Sequence, residues 1–184
     1  MQFVLLAPGP SMSRAVADSV RGQKVGVVTS AMPLAPWADF LAATDAGWWL
    51  RTPESRKFAG AKYSAARIGD EVTRINTPLV TSSTNSGVLA LEVAKQLGAT
   101  RVLLLGFDHR GTHYFGPYTN GLRNTPERRR LEHMRQFEQW GRANKGIEVV
   151  NCTPNSALKC FPMARLDESL AQSETPDSGS HGSV

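Results

Sequence analysis

Residues 101–116 read Arg-Val-Leu-Leu-Leu-Gly-Phe-Asp-His-Arg-Gly-Thr-His-Tyr-Phe-Gly, and they carry the strongest structural signal in the chain. The apolar run 101–107 predicts a buried strand, which ends at Asp108 in a loop rich in glycine and histidine. Open α/β sheets present reactive groups in such loops, beyond the carboxyl ends of their strands. We therefore expect an active or binding site at this loop.

Strand and helix signals alternate outward from this stretch. Apolar strands are expected at residues 2–7, 24–29, 38–43, 78–82, 101–107 and 147–151. Helices are expected after a cap at Ser11 or Ser13, after a cap at Asn85 or Ser86, and over residues 126–142. Residues 52–77 are weakly periodic and predict an excursion at the sheet edge, with short strands near 64–68. The alternation predicts an α/β fold, with a mainly parallel sheet and helices on both faces.

Length and composition predict one domain over residues 1–166. The 184 residues are 41% hydrophobic, which suits a single core. No apolar run approaches the roughly 20 residues that cross a bilayer, so we expect a cytoplasmic protein without a membrane partner. Cys152 and Cys160 are too sparse for a disulfide scaffold or a metal site, and both are expected to be buried thiols. Residues 167–184 lose their apolar character and predict a disordered tail.

The formal net charge of +5 raises the question of an anionic partner. Much of the charge lies in and before the helix 126–142, whose outer face it would cover as an ordinary solvated surface. The alternative is attraction of an anionic small molecule such as a nucleotide, whereas nucleic acid is not expected as the primary partner. The arginines are Arg123, Arg128, Arg129, Arg130, Arg135 and Arg142.

Two loops have the composition of an anion site. Residues 7–13 join a strand to a helix and place backbone N–H groups and two hydroxyls at a helix start. Residues 81–87 carry five hydroxyls and an amide before the next helix. Each loop could equally be a turn with a helix cap. Together, on neighbouring strands, they predict a nucleotide pocket.

Five segments of the chain resemble, in order and spacing, the bacterial CMP-sialic acid-dependent sialyltransferases. The chain also resembles the wider group that includes 6-hydroxymethylpterin pyrophosphokinase-like proteins and small phage-encoded proteins, and the likeness covers about residues 3–162. It implies a Rossmann-like domain and, for a phage protein, a location in the host cytoplasm. The segments are Gly9-Pro10-Ser11, Asn85-Ser86-Gly87-Val88, Leu105-Gly106-Phe107-Asp108, Thr112-His113-Tyr114-Phe115-Gly116 and the run from Asn151 to Leu158.

The resemblance implies roles for particular residues. His113 matches the general base that takes the proton from the acceptor hydroxyl, which an imidazole can do near neutral pH. Asp108 matches an acidic strand end, and Asp45 stands where the family has an asparagine near the phosphate. The nucleotide would contact Gly9, Pro10, Ser11, Ser83, Thr84, Asn85, Ser86, Gly87, Asn155 and Ser156.

The chain also departs from the sialyltransferase pattern. Pro8 replaces an asparagine of the nucleotide site, and Leu89 replaces a tyrosine that steadies the leaving phosphate. Three functions therefore stay open. The first is a glycosyltransferase-like enzyme that uses a nucleotide-activated sugar, without a cofactor. The second is an ATP-dependent pyrophosphokinase in which Asp45 and Asp108 hold Mg²⁺. The third is a phage protein that binds a nucleotide without turning it over. The acceptor and the oligomeric state, a homo-oligomer included, stay open.

Overall fold

A seven-stranded sheet runs through the centre of the computed structural model, which describes residues 1–172. Every pair of neighbouring strands is parallel, in the lateral order β5-β4-β3-β2-β1-β6-β7. The predicted α/β class with a parallel sheet is confirmed. The strands are Gln2–Leu6 (β1), Lys24–Val28 (β2), Phe40–Ala42 (β3), Ala61–Ser64 (β4), Thr73–Arg74 (β5), Arg101–Leu105 (β6) and Glu148–Asn151 (β7).

Helices cover both faces of the sheet, as the alternation of signals predicts. Successive strand residues point to opposite faces, so Phe3 and Leu5 belong to one core cluster and Val4 and Leu6 to the other. The first cluster takes side chains from the third and fourth helices, and the second from the first and second. The helices are Arg14–Asp18 (α1), Ala46–Arg51 (α2), Ser86–Gln96 (α3), Glu127–Ala143 (α4) and Leu166–Ala171 (α5).

The order of the strands places a crevice beside β1. The chain adds β2 to β5 on one side of β1 and then crosses to the other side to form β6 and β7. Connections from the adjacent strands β1 and β6 therefore leave in opposite directions. In parallel α/β sheets, ligands bind at such a reversal of strand order, beyond the carboxyl ends of the strands.

The strand predicted at residues 78–82 is wrong. This segment is a tight turn in which Thr77 and Val80 exchange two backbone hydrogen bonds of 3.0 and 3.1 Å. Pro78 cannot donate to a strand ladder, because its nitrogen carries no hydrogen. The loop 81–87 thus follows a turn and not a sheet strand, although it still leads into α3.

Three smaller expectations also need correction. Residues 52–77 form this side of the sheet, but β4 begins a few residues before the predicted 64–68 and pairs with β3, and β5 beyond it is the edge strand. The expected tail contains α5 between residues 166 and 171, so its predicted start is too early; residues 173–184 lie outside the described part. Cys152 is buried as expected, whereas Cys160 is exposed. Within residues 1–172, no helix combines the length and the apolar character that crossing a membrane requires.

Candidate functional site

A cavity of about 460 Å³ lies at the carboxyl edge of the sheet. Its walls include residues at or just after the ends of β1, β2, β3 and β6, together with the segment before α3 and the first turns of α4. Small-molecule sites in proteins usually enclose roughly 300–1,000 Å³. The cavity therefore has the place and the size expected of a ligand site in this fold.

Asp108 joins the end of β6 to the loop that follows β1. Its carboxylate is buried and accepts hydrogen bonds from the Ser11 hydroxyl at 2.8 Å and the Ser11 backbone N–H at 3.4 Å. A Cβ atom on Gly9 would lie 2.0 Å from Asp108 Oδ2 and 2.2 Å from the carbonyl oxygen of Gly106, so only glycine fits there. Asp108 and Gly9 line the cavity, but Pro10 and Ser11 do not, and the Ser11 hydroxyl is already committed to Asp108.

Asp45 occupies the corresponding position after β3. It caps α2, because its Oδ1 accepts a hydrogen bond from the Gly47 N–H at 2.7 Å, and its side chain is exposed in the cavity wall. Trp48 lies one turn further along α2; it is buried and its indole N–H donates to the Ser30 hydroxyl at 3.1 Å. The structure thus brings both predicted aspartates to the same cavity.

The loop before α3 forms another wall. Residues 82–87 all line the cavity, which includes the predicted nucleotide residues 83–87. Asn85 caps α3 by accepting from the Val88 N–H at 3.1 Å, and its own N–H donates to Gln136 Oε1 of α4 at 2.8 Å. Within residues 1–172, the backbone N–H groups of Ser86 and Gly87 make no hydrogen bond. They remain available to an anion at the start of this eleven-residue helix.

His113 lines the cavity from the long loop between β6 and α4. Its ring stacks on Phe115 with centroids 4.9 Å apart and contacts Tyr118 at 4.5 Å. In the described part of the chain its Nδ1 is buried without a hydrogen-bond partner. Burial lowers the pKa of His113, the backbone of Gly116 opposes this shift, and the charge of Arg130 adds to it. The imidazole is therefore neutral at pH 7 and can accept a proton.

Hydrogen bonds hold this long loop across the sheet edge. The Tyr114 N–H donates to the Pro8 carbonyl at 3.0 Å, and the Tyr114 hydroxyl donates to the Ser30 carbonyl at 3.2 Å. The hydroxyls of Tyr118 and Ser30 hydrogen-bond at 2.8 Å. Burial raises the pKa of Tyr118, so its hydroxyl stays protonated at neutral pH. Because these bonds join the loop to the segments that follow β1 and β2, the position of His113 depends on both of them.

Two histidines that the sequence interpretation did not assign complete the site. His109 packs edge-on against Phe137 of α4, with ring centroids 5.2 Å apart, and His133 lies one turn before Phe137. Burial lowers the pKa of each to about 4, and neighbouring positive charge adds to the effect, from His133 and Arg130 at His109 and from Arg129 at His133. A spacing of four residues between His133 and Phe137 on α4 is the signal that could have placed His133 on the inner face.

Four arginines also line the cavity, although the sequence favoured a solvated helix face. Arg129 donates to the Ser83 carbonyl at 3.4 Å and pairs with Glu132 at 2.7 Å, while Arg130 donates to the Gly111 carbonyl. The others are Arg110 and Arg123. These four arginines are placed where they could attract an anionic small molecule. The outer-face interpretation holds for the rest, since Arg128, Arg135 and Arg142 are exposed and lie outside the cavity.

Asn155 and Ser156 are not brought into the cavity. The Ser156 hydroxyl is buried, where it donates to the Phe107 carbonyl at 2.6 Å and accepts from the Leu158 N–H at 3.0 Å. Asn155 is exposed, with a φ of +53° in the left-handed region. The Ser156 hydrogen bond to Phe107 thus fixes the segment after β7 against the end of β6. The segment supports the cavity wall from behind and does not line the cavity.

Comparisons of the chain with protein-family models, curated proteins and solved structures find no match. Over residues 1–172, no group of three or more His, Cys, Asp or Glu side chains is arranged to hold a metal ion. Any divalent cation at Asp45 or Asp108 would need further oxygen ligands from a bound phosphate, as is usual for Mg²⁺.

Proposed function

We propose that the protein binds a nucleotide-activated sugar in this cavity and transfers the sugar to an acceptor hydroxyl, with His113 as the general base. The observation that carries the proposal is the meeting of three features in one cavity. These are a neutral imidazole at His113, free N–H groups at the start of α3, and a surplus of arginine. Each feature suits one part of the reaction.

The phosphate of the donor suits the wall formed by α3 and α4. Two N–H groups at Ser86 and Gly87 and the guanidinium of Arg129, which bonds the same loop at Ser83, converge there. Hydrogen bonds from charged groups to phosphate oxygens are about twice as strong as neutral ones. In the transition state they would stabilise the charge that develops on the leaving phosphate oxygen.

His113 suits the acceptor side of the reaction. As the acceptor oxygen forms its bond to the anomeric carbon, its proton passes to the imidazole. The bond from that carbon to the phosphate oxygen breaks, and the nucleotide leaves with the electron pair. The environment of His113 favours the neutral form that the first proton transfer needs. The stacked Phe115 and the contact with Tyr118 limit the orientations of the ring.

A Mg²⁺-dependent pyrophosphokinase is the second candidate, because two carboxylates line the same cavity. Asp45 is exposed there and uses one oxygen as a helix cap, while Asp108 is buried beside Ser11. Mg²⁺ is commonly held by one or two carboxylates and the phosphates of its nucleotide. This candidate requires ATP binding that depends on Mg²⁺ and is lost in Asp45→Asn.

Binding and turnover must be measured separately. We would titrate CMP, CDP, UDP, GDP, ATP and CMP-sialic acid by calorimetry with and without Mg²⁺, and follow nucleotide release by chromatography. Metal-independent binding of a nucleotide or nucleotide sugar, with release of the nucleotide, is the expected result. Binding of ATP only with Mg²⁺ would support the pyrophosphokinase. Tight binding without any product would indicate a nucleotide-binding protein.

The variant His113→Asn tests the base directly. Asparagine keeps a hydrogen-bonding side chain of similar reach but cannot accept a proton at neutral pH. We expect the rate of nucleotide release to fall by about 10²–10⁴-fold, the usual contribution of a general base, with donor affinity changed by less than about threefold. Equal rates in the variant and the unchanged protein would rule out His113 as the base.

A further inference from the structure

We propose that Arg110 and Arg123 form a subsite for a phosphate group, and that the acceptor of the proposed transfer is a phosphorylated hydroxyl compound. That the phosphate belongs to an acceptor rests on the proposed function. The phosphate subsite itself does not depend on it.

The two arginines lie near opposite ends of the loop that carries His113. Arg110 follows the end of β6 by five residues, and Arg123 precedes α4 by four. The hydrogen bond from Arg130 to the Gly111 carbonyl shows that the start of this loop lies beside the first turn of α4. Four residues of chain span at most about 14 Å, so Arg123 is confined to the same region. Both side chains line the cavity.

Neither arginine has a partner within the described residues. Arg129 and Arg130 bond to carbonyl oxygens, and Arg129 also pairs with Glu132, but Arg110 and Arg123 make no hydrogen bond or ion pair in residues 1–172. Four arginines and two aspartates line the cavity, and its three histidines have lowered pKa values. Because Glu132 already pairs with Arg129, the surplus lies in Arg110 and Arg123, whose two positive charges no carboxylate in residues 1–172 pairs.

A phosphate monoester matches this surplus better than a carboxylate does. It carries about −1.5 to −2 charges near pH 7, and its oxygens suit the planar donor pairs of arginine. Both arginines are exposed, so they lie at the rim of the cavity, whereas Gly87 at the start of α3 is buried. A donor phosphate at α3 and an acceptor phosphate at the rim would occupy different walls. The rim group would then lie on the same loop as the base that accepts the proton of the acceptor.

The subsite can be tested with inorganic phosphate as the probe. We would titrate phosphate, and acetate for comparison, into the unchanged protein, the double variant R110Q/R123Q and the control R128Q by calorimetry. Arg128 is an exposed arginine on α4 outside the cavity, so R128Q removes a charge without touching the rim. We expect phosphate to bind about tenfold more weakly to the double variant and within twofold of the unchanged affinity to R128Q.

The same titrations at higher NaCl concentration check that the contact is electrostatic. Exposed charges are screened, so phosphate affinity of the unchanged protein should fall with salt more steeply than that of the double variant. Circular dichroism would confirm that both variants are folded, as expected for exposed positions. Unchanged phosphate affinity in R110Q/R123Q, an equal loss in R128Q, acetate binding as tight as phosphate, or no phosphate binding at all would each overturn the subsite.

These outcomes separate the subsite from the proposed function. Phosphate affinity that depends on Arg110 and Arg123, with no nucleotide bound in the donor panel, would retain the subsite and reject the transferase. Nucleotide turnover that depends on His113, with phosphate affinity independent of the two arginines, would do the reverse. If both hold, sugar phosphates should accept the transferred sugar, whereas the matching unphosphorylated sugars should react at least about tenfold more slowly.

Discussion

His109 has a strained backbone conformation in the wall of the cavity. Its φ of +51° lies in the left-handed region, which costs a non-glycine residue on the order of 1 kcal/mol. The His109 ring packs against Phe137, and this contact offsets part of the cost of the left-handed backbone conformation. Backbone strain of this kind is concentrated at functional sites, in agreement with the place of His109 in the cavity wall.

The two partly buried histidines, His109 and His133, make folding stability sensitive to mild acid. Burial lowers the pKa of His109 and His133 to about 4, whereas the unfolded chain has the ordinary value of 6.5. Between these values the unfolded chain binds more protons, so acid favours unfolding. The stability that the neutral imidazoles contribute is complete above about pH 6.5 and is lost progressively as the pH falls towards 4.

The variant His133→Gln isolates one of these histidines. Glutamine cannot take up the proton, and the His133 carbonyl that accepts from Asn85 is backbone and remains. We expect the melting temperature of the variant to fall less between pH 7 and pH 4.5 than that of the unchanged protein, measured by thermal denaturation in matched buffers. Carboxylates titrate alike in both proteins, so they cancel in the comparison. Parallel pH profiles would show that His133 is not held neutral.

Among the secondary-structure elements, α3 and α4 contact each other to form the cavity wall that contains residues 82–87, Arg129 and Arg130. Gln136 of α4 accepts two hydrogen bonds from Asn85, at 2.8 Å from the backbone N–H and 2.9 Å from Nδ2. The apolar part of the contact needs Gly87, since a Cβ there would lie 2.6 Å from the ring of Phe137 and 2.8 Å from that of Phe107. The start of α3 can approach α4 this closely only without a side chain.

Gly87→Ala should therefore disturb the contact. Overpacking in a filled core costs about 1–3 kcal/mol of unfolding free energy, and we expect a loss of this size in urea denaturation. Gly146→Ala is the matched control, because a Cβ there meets nothing within 4 Å and its φ is not positive. It should leave the unfolding free energy within about 0.5 kcal/mol. A loss as large for Gly146→Ala would mean that the effect is not one of packing.

For the whole molecule, one sheet carries a core on each face. Trp48 and Trp49 belong to one core cluster, against which Trp37 also packs, and Trp140 belongs to the other. Each strand contributes alternate side chains to both clusters, as Phe3 and Val4 do. Neither core can be lost while the other keeps its strands, so the two should unfold together.

Tryptophan fluorescence can test this cooperativity. In the variant Trp140→Phe all remaining tryptophans report on one face, while far-ultraviolet circular dichroism reports on the whole molecule. We expect the variant to be less stable, because Glu92 loses the indole N–H that donates to it at 2.8 Å. Its fluorescence and dichroism midpoints in urea should nevertheless coincide. Separate midpoints would show that the two faces unfold independently.

Local patterns in the chain were sufficient for most of the fold. Apolar runs placed β1, β2 and β6, and the expected cap at Asn85 or Ser86 placed the start of α3, where Asn85 is the cap. Hydrophobic periodicity and helix caps act over a few residues, so they can be read without knowing what packs against them. The strand prediction for residues 78–82 was wrong because a local pattern does not show what lies beside a segment. Its apolar residues resemble a strand, but a strand also needs a neighbour with which to pair.

The candidate site was likewise predicted only in part from the sequence. Residue type and position along the chain were enough to predict a site at Asp108 and the loop after it, because polar groups that follow apolar strands meet at one edge of a parallel sheet. The resemblance singled out Asp45, His113 and residues 83–87, which line the same cavity. Other features of the site could be seen only in the folded molecule. They are the positions of His133, Arg129 and Arg130 in the cavity wall, the burial of Ser156, and the hydrogen bond from Ser11 to Asp108. Each of these depends on which distant segment packs alongside, and such contacts between residues far apart in the chain leave no mark in a local pattern.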